Sequence, residues 1–226
     1  MNHSRIRTVL VTGASRGIGA EVAQQLASPD THVIVNYRQK TDRAEAVAQT
    51  IREAGGLAST LGADISDEAE RVAMMATIAA RFGGLDALVL NASGGPDLGT
   101  DPQYAMRLNR DAQRHLAQLA VPLMPAGARI VFVTSHQAHF FPNKAVPKGY
   151  SAVAASKRAG ETALYTMRFV FSRSGVGLTV VSGDVTEGTS VVPTVDEFAR
   201  AIVAATIANN PPGIVYVGSA DYRMTA

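Results

Sequence analysis

The chain has 226 residues, of which 46% are hydrophobic, and its formal net charge is +2. This length and composition suit one folded domain with a sizeable core, and they exclude an intrinsically disordered chain. No apolar run approaches the roughly 18 residues that cross a bilayer, and too few residues precede the first predicted strand for a signal peptide. The absence of cysteine excludes disulfides and thiolate metal sites. We therefore predict a cytoplasmic protein without a metal or membrane partner, and the lack of a basic stripe predicts no nucleic-acid partner.

Strand-like and helix-like segments alternate along the chain. Short apolar runs predict seven strands, at Arg7–Val11, His32–Tyr37, Ala58–Ala63, Ala87–Leu90, Ala128–Thr134, Gly177–Ser182 and Ile214–Gly218. Helical apolar spacing predicts six helices, near Gly17–Leu26, Asp42–Ala54, Asp67–Phe82, Pro102–Leu119, Val153–Ser172 and Val195–Asn209. We predict an α/β fold of the Rossmann type, a doubly wound seven-stranded parallel sheet with helices on both faces, in a single domain over residues 1–226.

A glycine-rich turn joins the first predicted strand to the first predicted helix. Residues 12–19 read Thr-Gly-Ala-Ser-Arg-Gly-Ile-Gly. Such a turn leaves free backbone N–H groups and the positive end of a helix dipole where a pyrophosphate can bind. Gly13 permits the tight turn, Gly17 permits close approach of the phosphates, and Gly19 permits close packing of helix on strand.

This eight-residue string resembles the cofactor loop of the short-chain dehydrogenase/reductase family. The resemblance continues in order from Thr8 to about Val185, and its general pattern is that of the bacterial 3-oxoacyl-(acyl-carrier-protein) reductases. It implies an oxidoreductase that moves a hydride between a nicotinamide cofactor and a small ketone or secondary alcohol. A 3-oxoacyl thioester is one candidate substrate.

The resemblance places the cofactor along the glycine loop and at the carboxyl ends of the strands. Asp64 and Ile65 match the family segment that faces the adenine, and Gly183 matches the segment that meets the nicotinamide carboxamide. The expected cofactor contacts are Gly13, Ser15, Arg16, Gly17, Ile18, Gly19, Asn36, Tyr37, Arg38, Asp64, Ile65, Asn91, Ala92, Ser93, Gly94, Lys157, Gly183 and Val185.

The end of the second predicted strand favours NADP(H) over NAD(H). NAD-specific sites usually hold an acid there, which binds the adenosine 2′-hydroxyl. Asn36 takes that place here, Arg38 follows it, and Arg16 lies in the glycine loop. Arginines pair bidentately with a 2′-phosphate that a carboxylate would repel. An ordinary solvated role is the alternative for Arg38.

The resemblance also implies four catalytic residues. In the family a tyrosine supplies the proton, a lysine lowers its pKa and holds the ribose, a serine orients the substrate oxygen, and an asparagine supports a water-linked proton path. Ser135 at the end of the fifth predicted strand fits the serine, Asn109 fits the asparagine, and Lys157 fits the lysine. This is general acid catalysis with a tyrosine pKa moved from about 10 toward neutrality by a cation.

The tyrosine departs from the family pattern Y-x-x-x-K, because Val153 stands four residues before Lys157. On one continuous helix, Tyr150 would point the same way but lie about 10.5 Å along the axis from Lys157, against about 6 Å for the usual offset. We assign the acid role to Tyr150, with His136 and His139 as substitutes. The rival hypothesis is a non-catalytic NADP(H)-binding or regulatory protein that has lost the tyrosine.

Two further expectations concern the surroundings of the site. The family usually carries a substrate-covering loop where residues 189–193 stand, so that loop is either very short or partly missing from the chain, and we favour the second. The predicted helices Pro102–Leu119 and Val153–Ser172 match those that pair subunits in the family, which implies a homodimer or homotetramer. The second helix carries small residues that permit close approach, at Ala154, Ala155, Ala159, Gly160 and Ala163.

Overall fold

The computed structural model describes residues 5–94, 102–147, 149–184 and 193–218. The predicted cofactor contact at Val185 and most of the 189–193 loop therefore lie outside the described residues. In this part of the chain, no helix combines the length and apolar character needed to cross a membrane.

The first half of the chain alternates strictly between strands and helices. Its elements are β1 (Arg7–Val11), α1 (Gly17–Leu26), β2 (Thr31–Tyr37), α2 (Thr41–Glu53), β3 (Leu57–Gly62), α3 (Glu68–Phe82) and β4 (Ala87–Leu90). These bounds agree with the predicted segments to within a few residues, because every element here has a clear apolar period and a short connection.

The second half contains more helical pieces than the sequence predicts. Its elements are α4 (Pro102–Met106), a π-helical segment (Arg107–Ala112), α5 (Gln113–Ala120), a 3₁₀ turn (Val121–Leu123), β5 (Arg129–Thr134), α6 (His136–His139), α7 (Ser151–Tyr165), α8 (Arg168–Arg173), β6 (Gly177–Gly183), α9 (Val195–Ile207) and β7 (Ile214–Val217). The single predicted helix Pro102–Leu119 thus changes its winding in the middle, and Val153–Ser172 is two helices. Apolar spacing does not reveal either change, because the same face stays buried across it.

The seven strands form one parallel sheet in the order β3-β2-β1-β4-β5-β6-β7. After β3 the chain returns to the middle of the sheet and places β4 on the free side of β1. The order therefore reverses between β1 and β4, which is where doubly wound sheets bind ligands at the carboxyl ends of their strands. The predicted α/β Rossmann-type fold, with seven parallel strands in one domain, is confirmed.

Apolar side chains from the two faces of the sheet enter two separate cores. One core packs α3, α5, α7 and α8 on one face, with Leu88 and Ile130 among its strand residues. The other packs α1, α2 and α9 on the opposite face, with Val89 and Val131 among its strand residues. Neighbouring strand residues enter opposite cores because side chains alternate along a strand. The sheet edge that carries the loops is thereby held rigidly from both sides.

The π-helical segment packs against α7 at Gly160. A Cβ built on Gly160 would lie 1.9 Å from the backbone oxygen of Asn109, so only glycine fits there. Ala154 on the same helix is fully buried within its own chain. The expectation that small residues of α7 serve subunit pairing is thus wrong for these two positions, because their space is filled by neighbouring elements of the same chain.

Candidate active site

Side-chain hydrogen bonds fasten the glycine loop to the end of β4. The Thr12 hydroxyl accepts hydrogen bonds from the backbone N–H groups of Asn91 and Ala92, both at 3.0 Å. The Asn91 amide donates in return to the backbone oxygen of Thr12 at 2.9 Å. A Cβ on Gly19 would lie 2.5 Å from the Asn91 amide nitrogen, so glycine is required where α1 passes β4. These contacts hold the loop at the point where the strand order reverses.

The glycine loop has the shape of a phosphate cradle. Gly13 and Gly17 both have a positive φ, +63° and +56°. Residues other than glycine rarely adopt this backbone conformation. A Cβ on Gly17 would meet no atom within 4 Å, which shows open space beside the loop. Arg16, the N-cap residue of α1, makes no side-chain capping hydrogen bond, and the first turn of α1 contains no acidic residue. The N–H groups of α1 therefore suit a bound pyrophosphate.

The Asn36 side chain is buried between the glycine loop and the end of β3. Asn36 is 2% exposed, and its side-chain oxygen accepts from the Gly13 N–H at 3.2 Å. Its amide nitrogen donates to the backbone oxygens of Leu61 and Ala63 at 3.1 and 3.2 Å. Its predicted cofactor contact is not supported, because every polar atom of its side chain is engaged within the protein.

Tyr37 and Arg38 follow Asn36 and are more accessible. Tyr37 is partly buried and Arg38 is exposed. The Arg38 guanidinium donates to the Tyr104 hydroxyl. Arg16 of the glycine loop is exposed as well. Residues 36–38 thus supply no carboxylate side chain, and the Arg16 and Arg38 side chains are both exposed.

The expected adenine-facing residues have protein partners of their own. The Asp64 carboxylate accepts from the backbone N–H and the hydroxyl of Ser66, at 2.8 and 2.7 Å. Ile65 is 3% exposed and belongs to the core that packs α3. Ser93 is exposed, and Ser15, Ala92 and Gly94 are partly buried. Asp64 thus shapes the turn after β3, and its backbone N–H donates to the Glu70 carboxylate at 2.6 Å.

A cleft of about 380 Å³ opens at the carboxyl ends of the strands. It brings together seven predicted site residues that lie far apart in sequence: Ile18, Asn91, Ser93, Ser135, Tyr150, Lys157 and Gly183. The wall is completed by five residues that the sequence reasoning missed: Val133, Thr134, Gln137, Asp184 and Phe198. Four of these five flank Ser135 or Gly183, so proximity to a predicted residue was the available signal. Phe198 on α9 offered no such signal.

Thr134 leaves a polar atom ready for a ligand. Its side chain is 1% exposed, and its hydroxyl has no hydrogen-bond partner among the described residues. Buried polar groups are nearly always paired, since an unmet hydroxyl costs free energy. Because Thr134 lines the cleft beside Ser135, a ligand with a polar group at this depth fits the site.

Tyr150 and Ser135 meet at the cleft although the tyrosine is displaced in sequence. Tyr150 immediately precedes α7, and its side chain lies within hydrogen-bonding reach of Ser135. Burial raises the pKa of Tyr150, the Ser135 hydroxyl opposes this change, and the charge of Asp184 adds to it. The Ser135 hydroxyl also accepts from the Ala138 N–H at 3.2 Å, which fixes its position at the start of α6. Val153 is buried and does not line the cleft.

Lys157 and Asp184 form the charged pair of the cleft. Burial lowers the pKa of Lys157 to about 8, and the negative charge of Asp184 opposes the decrease. Burial raises the pKa of Asp184, while His136, Lys157 and the backbone N–H groups of Gln137 and His136 oppose the increase. The Asp184 carboxylate is therefore held by donors from α6 and faces the ammonium from β6.

Asn109 supports the site from behind. It is 2% exposed, and its amide donates to the Ser156 hydroxyl at 3.0 Å. Ser156 donates onward to the backbone oxygen of Val153 at 2.8 Å. Asn109 does not appear in the cleft wall, so its side chain anchors α7 next to Lys157.

The two histidines after Ser135 are engaged elsewhere. His136 is buried and contacts the Ser182 hydroxyl and the Val217 backbone oxygen, both at 2.9 Å. His139 pairs with the buried Glu161 at 2.9 Å and contacts the Tyr216 hydroxyl at 3.0 Å. Neither ring lines the cleft, so their suggested role as substitute proton donors finds no support in this geometry.

A family model described as short chain dehydrogenase matches residues 7–200. The chain belongs to the short-chain dehydrogenase family. The resemblance inferred from the glycine loop, Ser135 and Lys157 is thereby confirmed.

Curated relatives of this short-chain dehydrogenase are named as reductases. The 1-cyclohexenylcarbonyl-CoA reductase of Streptomyces collinus is 33% identical over 195 residues, which cover 83% of this chain and 67% of that protein. The 3-oxoacyl-[acyl-carrier-protein] reductase of Staphylococcus aureus is 43% identical over 86 residues, which cover 38% of this chain and 35% of that protein. The matches to four further relatives cover 59% to 62% of their length.

A solved structure extends the likeness to most of the chain. The landomycin C-6 ketoreductase LanV, with bound NADP and rabelomycin, superimposes with a TM-score of 0.78 at 26% identity, over 94% of both chains. Together with the names of the relatives, this likeness supports an oxidoreductase with a nicotinamide cofactor.

Proposed function

We propose that the protein is an NADP(H)-dependent ketoreductase in which Tyr150 takes the place of the displaced motif tyrosine. The observation that carries the proposal is the meeting of Tyr150 and Ser135 in the cleft that also contains Lys157. A donor hydroxyl, an orienting hydroxyl and a cation are the groups that reduction of a carbonyl needs from the protein.

Each of these residues has a defined task. The nicotinamide, when bound, supplies the hydride to the carbonyl carbon. The Ser135 hydroxyl orients the substrate oxygen, and the Tyr150 hydroxyl gives its proton to that oxygen as negative charge develops there. Burial holds the pKa of Tyr150 above its usual value, opposite to the lowering that the family resemblance implies. The Lys157 cation lines the same cleft and would stabilise the tyrosinate left behind.

Binding of the phosphorylated cofactor is proposed from the charge at the end of β2. Arg38 is exposed directly after β2, Arg16 is exposed in the glycine loop, and residues 36–38 contribute no carboxylate side chain. The N-terminus of α1 would hold the pyrophosphate, Thr134 offers an unpaired hydroxyl to the bound molecule, and Lys157 would hold the ribose. The bound NADP in the LanV structure supports the same choice.

The substrate class is proposed as a small ketone, with a 3-oxoacyl thioester as one candidate. The names of the relatives include a CoA-thioester reductase, an acyl-carrier-protein reductase and an aromatic ketoreductase. We further propose a cytoplasmic homodimer or homotetramer. A groove at the ends of α5 and α7, lined by Val121, Pro122, Met167 and Val170, supports pairing there, because Val170 and the adjacent Phe169 are exposed.

The deciding experiment measures NADPH oxidation with a panel of diketones and acetoacetyl thioesters, in the wild-type protein and in Tyr150→Phe. We expect turnover in the wild type, a loss of about 10²-fold or more in kcat in the variant, and nearly equal NADPH dissociation constants. Tyr165→Phe is the matched control, since it removes a tyrosine hydroxyl from the last residue of α7, outside the cleft.

The competing reading is a non-catalytic NADP(H)-binding or regulatory protein, and the observation that favours it is the valine at position 153. Tight NADPH binding without turnover of any panel member would select that reading. Full kcat in Tyr150→Phe would keep the enzyme but remove Tyr150 from the proton step.

A further inference from the structure

Asp184 places a carboxylate in the wall of the cleft that contains the proposed catalytic residues. It directly follows Gly183 at the end of β6, and it lines the same cleft as Ser135, Tyr150 and Lys157. Backbone N–H groups of His136 and Gln137 donate to its side chain. These two donors come from the first turn of α6, so the carboxylate is held at a fixed place between β6 and the catalytic residues.

The displacement of the tyrosine along the chain changes which groups surround Lys157. A tyrosine four residues before Lys157 would lie about one helical turn from it, whereas Tyr150 starts nearly a turn farther along. Lys157 therefore has Asp184 as its charged neighbour in the cleft wall, and Tyr150 is the other titratable group there. His136 on α6 faces Asp184 from the other side.

Other charges near α7 are already paired among themselves. Glu161 is bound by His139 and Arg158, and Arg110 of the π-helical segment is bound by Asp111. Among the described residues of the cleft wall, Asp184 is the carboxylate that accompanies Lys157.

We propose that Asp184 is a positioning residue that holds the Lys157 side chain as a charged ammonium within the cleft. The inference rests on the proposed role of Lys157 in proton transfer and ribose binding. The ammonium is desolvated by its surroundings, and a fixed carboxylate offsets that cost. The same carboxylate keeps Tyr150 protonated, because its negative charge disfavours the tyrosinate.

The titration of Lys157 tests the proposal without any need for turnover. The chain has only four lysines, Lys40, Lys144, Lys148 and Lys157, so a protein labelled with ¹³C at the lysine Cε gives few NMR signals. Lys157→Arg removes one signal and thereby assigns it. We expect the midpoint of that signal near pH 8 in the wild type and at a lower pH in Asp184→Asn.

The control variant is Asp196→Asn, which removes one carboxylate from α9 outside the cleft wall. A midpoint that falls in Asp184→Asn alone supports the proposal. A midpoint that stays unchanged in Asp184→Asn, or that falls equally in both variants, overturns it. If Asp184→Asn fails to fold, Asp184→Ser removes the same charge with a smaller side chain. A lowered midpoint in that variant supports the proposal, and an unchanged one overturns it.

Kinetics provide the second readout. The basic limb of the pH profile of kcat/KM should move to lower pH in Asp184→Asn together with the NMR midpoint, and a limb that stays in place overturns the catalytic consequence. A wild-type protein that turns over no ketone contradicts the proposed function, whereas the NMR midpoints still decide the role of Asp184.

Discussion

Asn109 in the π-helical segment donates a 3.0 Å hydrogen bond to Ser156, the residue immediately before Lys157. The bond joins the π-helical segment to α7, and Ser156 is 1% exposed. π-Helical turns occur often at functional sites, because they shift the side chains that follow by one position. Here the turn delivers the asparagine amide to α7 and sets the place from which Lys157 extends.

Removal of this bond should lower both stability and activity. Asn109→Ala leaves the Ser156 hydroxyl without its buried donor, and we expect a loss of about 1–3 kcal/mol in the free energy of unfolding. The kcat should fall more than the NADPH affinity, since α7 loses a support near the proton-transfer groups. Urea unfolding and steady-state kinetics measure the two effects. Gln118→Ala, on the exposed face of α5, is the control and should change neither.

A single added methyl group at Gly160 should strongly lower the stability of the fold. Because a Cβ there would lie 1.9 Å from the backbone oxygen of Asn109, Gly160→Ala must push α7 away from the π-helical segment. We expect a destabilisation of about 3 kcal/mol or more, measured by thermal or urea unfolding. Gly213→Ala is the matched control, because its nearest side-chain atom lies at 3.6 Å. Equal stability of the two variants would contradict the close contact.

Cofactor preference should follow the arginines at the end of β2. We expect NADPH to bind more tightly than NADH, and Arg38→Asp should narrow or reverse that preference, because a carboxylate repels the 2′-phosphate and accepts from a 2′-hydroxyl. Isothermal titration calorimetry with both cofactors gives the two dissociation constants. Arg81→Asp makes the same charge change at the far end of α3 and should leave their ratio intact. Equal affinities in the wild type would argue against the assignment to NADP(H).

The pH profile should report the lysine. With a pKa of about 8 in the free protein, Lys157 loses its positive charge as the pH rises through that value. The kcat/KM for NADPH, which reflects the free protein, should therefore fall above about pH 8. Lys157→Arg stays charged throughout this range, so whatever activity it retains should show no such limb. A limb that persists in the arginine variant would assign the titration to another group.

Local sequence determined the architecture and the cofactor loop. Seven apolar runs and the helical periods between them predict the doubly wound sheet, because each period matches one buried face. The glycines of residues 12–19 predict the phosphate cradle, since glycine permits a tight turn and close approach of the backbone to a phosphate. Ser135 and Lys157 are likewise visible from position alone, at a strand end and on a helix of clear period.

Tertiary structure alone decided how the side chains at these positions are used. Asn36 stands at the expected cofactor position, yet its side chain bonds the backbone of Gly13, Leu61 and Ala63, because the glycine loop and the end of β3 fold against it. Tyr150 reaches Ser135 because the chain between β5 and α7 returns the ring to the cleft, and spacing along a helix does not predict that path. Asp184 is held in the site by backbone donors of α6. This helix has four residues and is too short to show an apolar period. Such contacts depend on distances between segments remote in sequence, and packing of the whole sheet sets those distances.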